Sequence, residues 1–132
     1  MTILEQFSMP MYFFLKIWLI TFAVSSAYEL LALNTPFNIF GCRYQYDYNR
    51  FLFKKSFLKV PLMIPFFWAT TRLFIPSYLG FIWIDLIVDP AAIQLKWWKW
   101  QRKGLWFGVP LTNYIGWSII WLTVEGIKYA IN

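Results

Sequence analysis

The sequence contains no histidine and only one cysteine, Cys42. A single cysteine excludes an internal disulfide and any metal site built from several thiolates. Without histidine there is no imidazole to ligate zinc or haem iron, and the commonest general base near neutral pH is missing. Acid–base chemistry in this chain must therefore come from Asp, Glu or Tyr, and we expect no metal site.

Charge is also scarce. Only 14% of the 132 residues are charged and 60% are hydrophobic, whereas a soluble domain usually carries about a quarter charged residues. A water-soluble fold of this size cannot hide so much apolar surface, but lipid can act as its solvent. The 9 Trp and 8 Tyr agree, because these residues gather at the headgroup level of a bilayer. We expect a single transmembrane domain over residues 1–132.

Uncharged runs predict an all-α integral membrane bundle of four transmembrane helices, at about residues 11–33, 57–75, 77–94 and 106–128. The last run is the clearest, since residues 104–124 carry no charge. Ser25-Ser26-Ala27 follow the first run and could mark a signal-peptidase site. The first fifteen residues contain no Lys or Arg, so we expect this segment to be a retained membrane helix.

The segment 60–89 is ambiguous because it contains Pro61, Pro65 and Pro76. It could be a hairpin of two short helices that breaks near Pro76, or one long kinked helix, which would leave three spans. A hairpin places both basic segments of the chain on one face of the membrane, as the positive-inside rule prefers. We therefore favour the hairpin.

The net charge of +6 comes from two basic segments, residues 43–59 and 96–103. They contain Arg43, Arg50, Lys54, Lys55, Lys59, Lys96, Lys99, Arg102 and Lys103. Short basic runs beside apolar segments are typical of cytoplasmic loops that face anionic lipid. We expect both loops on the cytoplasmic side, with membrane lipids as partners. Nucleic acid is not expected, because no nucleic-acid-binding motif is present.

Three carboxylates lie within or beside the predicted spans, where ionisable groups are costly and by default functional candidates. Asp85 and Asp89 are four residues apart, so on a helix they share one face. Two desolvated acids so close do not both ionise easily, and at least one should have a raised pKa. Such a pair can hold a proton near neutral pH and donate it to a substrate.

Structural roles for the same carboxylates remain open. Asp89 precedes Pro90, which fits a bend or helix end, and it could pair with Lys96 or Lys99. Asp85 could pair with Arg72 and hold two helices together. Glu29 could be an interfacial acid or a third proton carrier, within reach of Arg43 or of Tyr44, Tyr46 or Tyr48. Asn113 lies in the last predicted span and needs a hydrogen-bond partner there.

Several blocks of the chain resemble the CruF-like carotenoid biosynthesis membrane proteins. The blocks are Asp85-Leu86-Ile87-Val88-Asp89-Pro90, Trp98-x-Trp100 and Gly108-Val109-Pro110-Leu111-Thr112-Asn113-Tyr114-Ile115-Gly116-Trp117. Looser matches upstream are Glu29, Phe40-Gly41, Tyr44-x-Tyr46, Val60-Pro61-Leu62, Pro65 and Trp68. The likeness runs from about Glu29 to Trp117, and its most specific part is the Pro-Leu-Thr-Asn…Gly-Trp segment.

The resemblance implies a carotenoid hydratase, a hydro-lyase that adds water to a terminal double bond of an acyclic carotenoid. A protonated acid, a nearby carboxylate and aromatic faces would perform this reaction without a metal or organic cofactor. The implied catalytic residues are Asp85, Asp89 and Glu29. The implied residues that bind the carotenoid or another apolar isoprenoid are Tyr44, Tyr46, Trp68, Trp98, Trp100, Asn113 and Trp117.

A non-catalytic role is the alternative. The chain is shorter than usual members of that family, so missing helices would have to come from other membrane subunits or from a homo-oligomer. A small chain rich in large aromatic side chains also suits a structural subunit of a photosynthetic or respiratory membrane complex, in contact with lipid, pigment or quinone. Carboxylates that converge on an elongated apolar groove would favour the enzyme. Carboxylates locked onto Arg or Lys would favour the subunit.

Overall fold

A computed structural model describes residues 3–51 and 55–131, with only the helical backbone for residues 3–10. The predicted basic residue Lys54 lies outside these residues. Four α-helices make up most of the fold: α1 (Ile3–Asn34), α2 (Met63–Phe74), α3 (Tyr78–Gln94) and α4 (Thr112–Ala130). Four short strands and one 3-10 turn, Tyr48–Arg50, connect them. The strands are β1 (Tyr44–Tyr46), β2 (Ser56–Phe57), β3 (Val60–Pro61) and β4 (Trp98–Trp100).

The prediction of an all-α bundle with four membrane spans is wrong. Two two-stranded antiparallel sheets, β1–β4 and β2–β3, accompany the helices. Among the described residues only one helical segment, Met11–Asn34 in α1, is both long and apolar enough to cross a membrane. Helix α2 has 12 residues and α3 has 17, which at about 1.5 Å per residue fall short of a hydrocarbon core of about 30 Å.

The last predicted span is shorter than its uncharged run because the helix begins late. Helix α4 starts at Thr112, not near residue 106. Upstream of it, Gly104 pairs with Gly108 and Trp106 with Val109 in antiparallel bridges. Gly108 has a φ of +90°, a conformation that a glycine adopts without strain. A tight turn therefore occupies the segment that was predicted to be helical.

The middle of the chain forms two separate helices rather than one long kinked helix. Helix α2 ends at Phe74 and α3 begins at Tyr78, so Pro76 lies in the break, where the hairpin was predicted to turn. The side chain of Ser77 accepts a hydrogen bond from the backbone N–H of Gly80 at 3.0 Å and caps α3. Such caps satisfy backbone donors that have no partner within the helix.

Pro90 was predicted to mark a bend or helix end, but α3 continues through it to Gln94. Proline has no N–H, so the carbonyl of Leu86, one turn earlier, loses its helical partner. The indole N–H of Trp106 donates to that carbonyl at 2.9 Å. This bond from outside the helix helps α3 to tolerate its proline.

One face of α1 carries small and polar residues that are buried against the other helices. Ile17, Thr21, Ser25 and Glu29 follow one another at four-residue spacing and each is at most 5% exposed. The hydroxyls of Thr21 and Ser25 donate to the carbonyls of Ile17 and Thr21, both at 2.8 Å. Small side chains allow close helix packing, and this face places the last member, Glu29, inside the protein.

Sheet β1–β4 separates aromatic from polar side chains. Tyr44 pairs with Trp100 and Tyr46 with Trp98, while Gln45 pairs with Lys99 between them. Because successive side chains of a strand point to opposite faces, the four aromatic residues share the inner face. Gln45 and Lys99 are exposed on the outer face. This pairing also brings the two basic segments of the chain side by side.

Candidate functional site

The inner face of sheet β1–β4 closes a small cavity inside the helices. Its walls are Glu29 from α1, Phe40, Tyr44 and Tyr46, Ile64 and Trp68 from α2, Asp89 from α3, Trp98 and Trp100, and Asn113 and Trp117 from α4. The cavity measures about 20 Å³, which is room for about one water molecule. We call it the carboxylate cavity.

Nine of the ten predicted site residues line this cavity; Asp85 does not. Sequence reasoning missed Phe40 and Ile64, which complete the wall. Phe40 belongs to the Phe40-Gly41 block that resembles the family, and this resemblance could have identified it as a site residue. Ile64 is an apolar residue in an apolar helix, so nothing in the sequence distinguishes it from its neighbours.

Asp89 is held by two donors. The indole N–H of Trp98 donates to Oδ1 at 2.9 Å, and the amide of Asn113 donates to Oδ2 at 2.7 Å. Burial raises the pKa of Asp89 above its ordinary value, while hydrogen bonds from Asp85, Asn113 and Trp98 oppose the rise. These bonds favour the ionised form of Asp89 over that of its neighbour.

Asp85 lies behind Asp89, one turn away on α3, and is fully buried. Its Oδ2 receives the amide of Asn113 at 3.3 Å, and its Oδ1 has no hydrogen-bond partner among the described residues. Burial and the charge of Asp89 raise the pKa of Asp85 well above its ordinary value. Burial and proximity therefore favour one proton shared between Asp85 and Asp89 over two ionised carboxylates.

Glu29 faces the same cavity from the opposite side. The phenol of Tyr46 donates to both carboxylate oxygens, at 2.7 and 2.8 Å. Burial and the negative charge of Glu29 raise the pKa of Tyr46 well above its usual value, so the phenol remains a donor. Tyr44 also lies in the wall, and its hydroxyl has no hydrogen-bond partner among the described residues.

None of these three carboxylates forms a salt bridge within residues 11–51 and 55–131. The proposed pairing of Asp85 with Arg72 is wrong, because Arg72 binds Glu125 at the other end of α2. Asp89 binds neither Lys96 nor Lys99, and Glu29 binds Tyr46 rather than Arg43. Buried acids without a cation are stabilised in their neutral form, which is the state a proton donor needs.

Residues 70–130 match the family model described as "Carotenoid biosynthesis protein". This match supports the resemblance to CruF-like carotenoid biosynthesis proteins that the sequence blocks indicated. The matched segment contains Asp85, Asp89 and Asn113. Searches of curated proteins and of solved structures give no match.

The family match supports a role in carotenoid metabolism and an isoprenoid substrate class. Proteins of this carotenoid biosynthesis family are typically membrane-associated. The apolar segment Met11–Asn34 agrees with that location. Only 28% of its most apolar window is buried inside the protein, so most of this window is not covered by other residues.

Proposed function

We propose that this membrane-associated carotenoid biosynthesis protein is a hydratase that adds water to the terminal double bond of an acyclic carotenoid. One observation carries the proposal: carboxylates from two helices converge on a buried aromatic cavity without a basic partner among the described residues. Acids in this environment can hold and release protons near neutral pH.

In the first step, the Asp85–Asp89 pair supplies a proton to the terminal carbon of the alkene. The two electrons of the double bond form the new C–H bond and leave a tertiary cation on the neighbouring carbon. Asp89 lines the cavity and would make the transfer, while Asp85 replenishes its proton from behind. The faces of Trp68, Trp98 and Trp117 support the cation through their ring quadrupoles.

In the second step, a water molecule forms a C–O bond with the cation and loses a proton. Glu29 would accept it in its ionised form, which the two hydrogen bonds that Tyr46 donates favour and orient. The result is a tertiary alcohol, with no change in net redox state. The proton then returns from Glu29 to the aspartate pair before the next turnover.

The cavity is not the elongated groove that we expected of an enzyme with a polyene substrate. It has space for the water and not for the end of a carotenoid, so entry of the substrate requires side chains to move. Tyr44 and Trp100 separate the cavity from a larger surface groove. The indole N–H of Trp100 has no hydrogen-bond partner among the described residues, so no hydrogen bond from its ring opposes the movement of this side chain.

The basic segments are proposed to lie on the cytoplasmic side. Pairing of β1 with β4 puts them next to each other, and basic residues near a membrane-crossing helix favour the cytoplasmic face. Cysteine labelling of Lys99→Cys in inverted and right-side-out vesicles tests the assignment, after Cys42 is replaced by Ser. Modification only in right-side-out vesicles would contradict it.

Co-expression of the full chain with an acyclic carotenoid pathway tests the reaction. The wild-type chain should yield a carotenoid that is one water heavier, and Asp89→Asn should not. Asp47→Asn is the matched control, because Asp47 is exposed and pairs with Arg50 on the surface; it should retain the product. An unchanged pigment profile with well-expressed wild-type protein would contradict the hydratase.

A second candidate is a carotenoid-binding subunit without catalysis. Large apolar side chains remain exposed on α2, α3 and α4, such as Phe74 at 81%, Trp83 at 65% and Leu122 at 67%. Such surfaces need lipid or other subunits to cover them. In the same experiment, this role predicts that unmodified carotenoid co-purifies with wild type and with Asp89→Asn alike.

A further inference from the structure

A groove of about 930 Å³ lies on the outer side of the wall that closes the carboxylate cavity. The end of α1 and the paired strands form it. We call it the basic groove, and its lining is Ala32, Leu33, Asn34, Thr35, Pro36, Arg43, Tyr44, Gln45, Tyr46, Tyr48, Lys59, Lys99, Trp100 and Gln101. Nothing in the proposed hydration reaction uses its charged residues.

Three cations from three separate segments meet in this groove. Arg43 precedes β1, Lys59 stands between β2 and β3, and Lys99 is in the middle of β4. No carboxylate is among the lining residues, and none of the three cations forms a salt bridge with a described residue. Like charges brought together repel one another, and a bound anion would relieve that repulsion.

The backbone of the turn that carries Lys59 has positive φ values, and side chains of the groove hold it in this conformation by hydrogen bonds. Leu58 and Lys59 have φ values of +45° and +72°, in a tight β-hairpin turn where Asn-Gly is the usual pair. The amide of Asn34 donates to the carbonyl of Leu58, and the phenol of Tyr48 donates to that of Lys59, both at 2.7 Å. Both donors belong to the groove, so the groove itself fixes the position of the Lys59 backbone.

A membrane crossing by α1 would place the groove at the level of the phosphate headgroups. The segment able to cross a membrane ends at Asn34, and residues 32–36 form one side of the groove. Phe37 and Leu58 beside it are 55% and 61% exposed. Apolar side chains next to a cluster of cations, at the end of a membrane helix, fit the boundary between acyl chains and phosphates.

We propose that the basic groove binds the phosphate of an anionic phospholipid, with Arg43, Lys59 and Lys99 as its ligands. The phosphate lies among the three cations, and Arg43 offers the fork of donors that suits a phosphate. The lipid tails extend past Phe37 and Leu58 into the bilayer. The proposal does not depend on the hydration reaction, since it concerns the outer face of sheet β1–β4.

Native mass spectrometry of the full chain in detergent tests this site. The probes are phosphatidylglycerol, phosphatidylcholine and inorganic phosphate, each titrated separately. The site variant replaces Arg43, Lys59 and Lys99 by Gln. The matched control replaces Lys96, Arg102 and Lys103 by Gln, which removes the same charge from residues outside the groove.

Wild-type protein should bind one phosphatidylglycerol more tightly than phosphatidylcholine. The site variant should lose on the order of 100-fold in affinity, at about tenfold or less for each cation. The control should stay within about threefold, because exposed charges outside the site are screened. Near-ultraviolet circular dichroism must be unchanged in both variants for the comparison to count.

Three outcomes would overturn the proposal. Equal losses in the site and control variants would show general attraction to net charge. Equal binding of phosphatidylcholine and phosphatidylglycerol would show that the anionic headgroup is not recognised. Binding of inorganic phosphate as tight as that of the lipid, with competition between them, would identify a soluble phosphate as the ligand.

Discussion

Two regions of this protein bury charged side chains in opposite ways. Glu29 and Asp89 line the carboxylate cavity and Asp85 lies behind it, and all three have neutral donors but no cation among the described residues. At the other end of α2, Arg72 is 4% exposed, binds Glu125 and stands 4.2 Å from the ring centre of Trp121. Lys128 adds a second cation to Glu125 at 3.0 Å.

The presence or absence of a paired cation distinguishes acids that can exchange a proton from acids that hold helices together. An acid paired with cations stays ionised, and hydrogen bonds from Lys128 and Arg72 lower the pKa of Glu125 although partial burial opposes them. A buried acid without a cation tends to keep its proton because desolvation disfavours the charge, although hydrogen bonds from neutral donors oppose this. We therefore expect changes in the cavity to alter activity, and changes at the Arg72–Glu125 pair to alter stability.

The largest expected effect is on catalysis, at Asp85. Asp85→Asn preserves the volume of the side chain but removes the proton that it holds for Asp89. Because a positioned acid typically contributes a factor of 10²–10⁴, we expect the hydration rate to fall by about 100-fold or more. The rate is measured by product formation in membranes that contain the carotenoid.

The free energy of unfolding of the same variant should be at least that of wild type at neutral pH, because unfolding of the wild-type protein then releases the Asp85 proton and unfolding of the amide does not. A variant that keeps its rate would remove Asp85 from the proton pathway. A variant that unfolds would show that Asp85 is structural.

The second effect is on stability, at Glu125. Glu125→Gln leaves the buried Arg72 guanidinium without its counter-ion, and its Nε already has no partner among the described residues. We expect a loss of about 2–3 kcal/mol, below the full value for a buried pair because Glu125 is one-third exposed. Denaturant titration in detergent micelles measures the change.

Lys128→Gln is the control for this prediction. It removes a charge from the same cluster but leaves Arg72 paired, so the loss should be below about 1 kcal/mol. If the two variants lose the same free energy, the burial of Arg72 is not what makes the pair important.

A third effect concerns the packing of α4 behind the cavity. A methyl group added at Gly116 would meet the ring of Phe40, which lines the cavity, so Gly116→Ala should cost about 1–2 kcal/mol. Gly126 is on the same helix with open space around it. Gly126→Ala should stabilise the protein by about 0.5–1 kcal/mol. Equal effects of the two alanines in a thermal melt would contradict this account.

The sequence predicts which residues lie around the carboxylate cavity better than it predicts the fold that surrounds it. The spacing of Asp85 and Asp89 and the family blocks were sufficient to name nine of the residues that line the cavity. Charge-free length was not sufficient to locate helices, since the bridges Gly104–Gly108 and Trp106–Val109 form a turn that hydropathy does not detect.

Long-range pairing explains the remaining errors. Trp98 and Trp100 face the cavity because β4 pairs with β1, more than fifty residues earlier in the chain. Helix α3 passes through Pro90 because Trp106 satisfies the carbonyl that proline frees. Local patterns do not record partners that are distant in the chain, so the sequence favoured a helix end at Pro90 and a partner for Asp85 at Arg72.

The smallest expected effect is the pH dependence of stability, and it has opposite signs in the two regions. The pKa of Asp85 is raised in the folded protein, so its contribution to stability is complete below the ordinary carboxyl pKa and is lost as the pH rises through the raised value. Between these two pKa values, unfolding releases the Asp85 proton, which lowers the free energy of unfolding by about 1.4 kcal/mol per pH unit.

The pKa of Glu125 is lowered in the folded protein, so its contribution to stability is lost as the pH falls. Asp85→Asn should therefore flatten only the alkaline side of the stability curve, and Glu125→Gln only the acid side. If Asp85→Asn left the alkaline slope intact, another group would hold the proton in the folded protein, and the contrast between a proton-holding cavity and a charge-paired helix junction would fail at its first member.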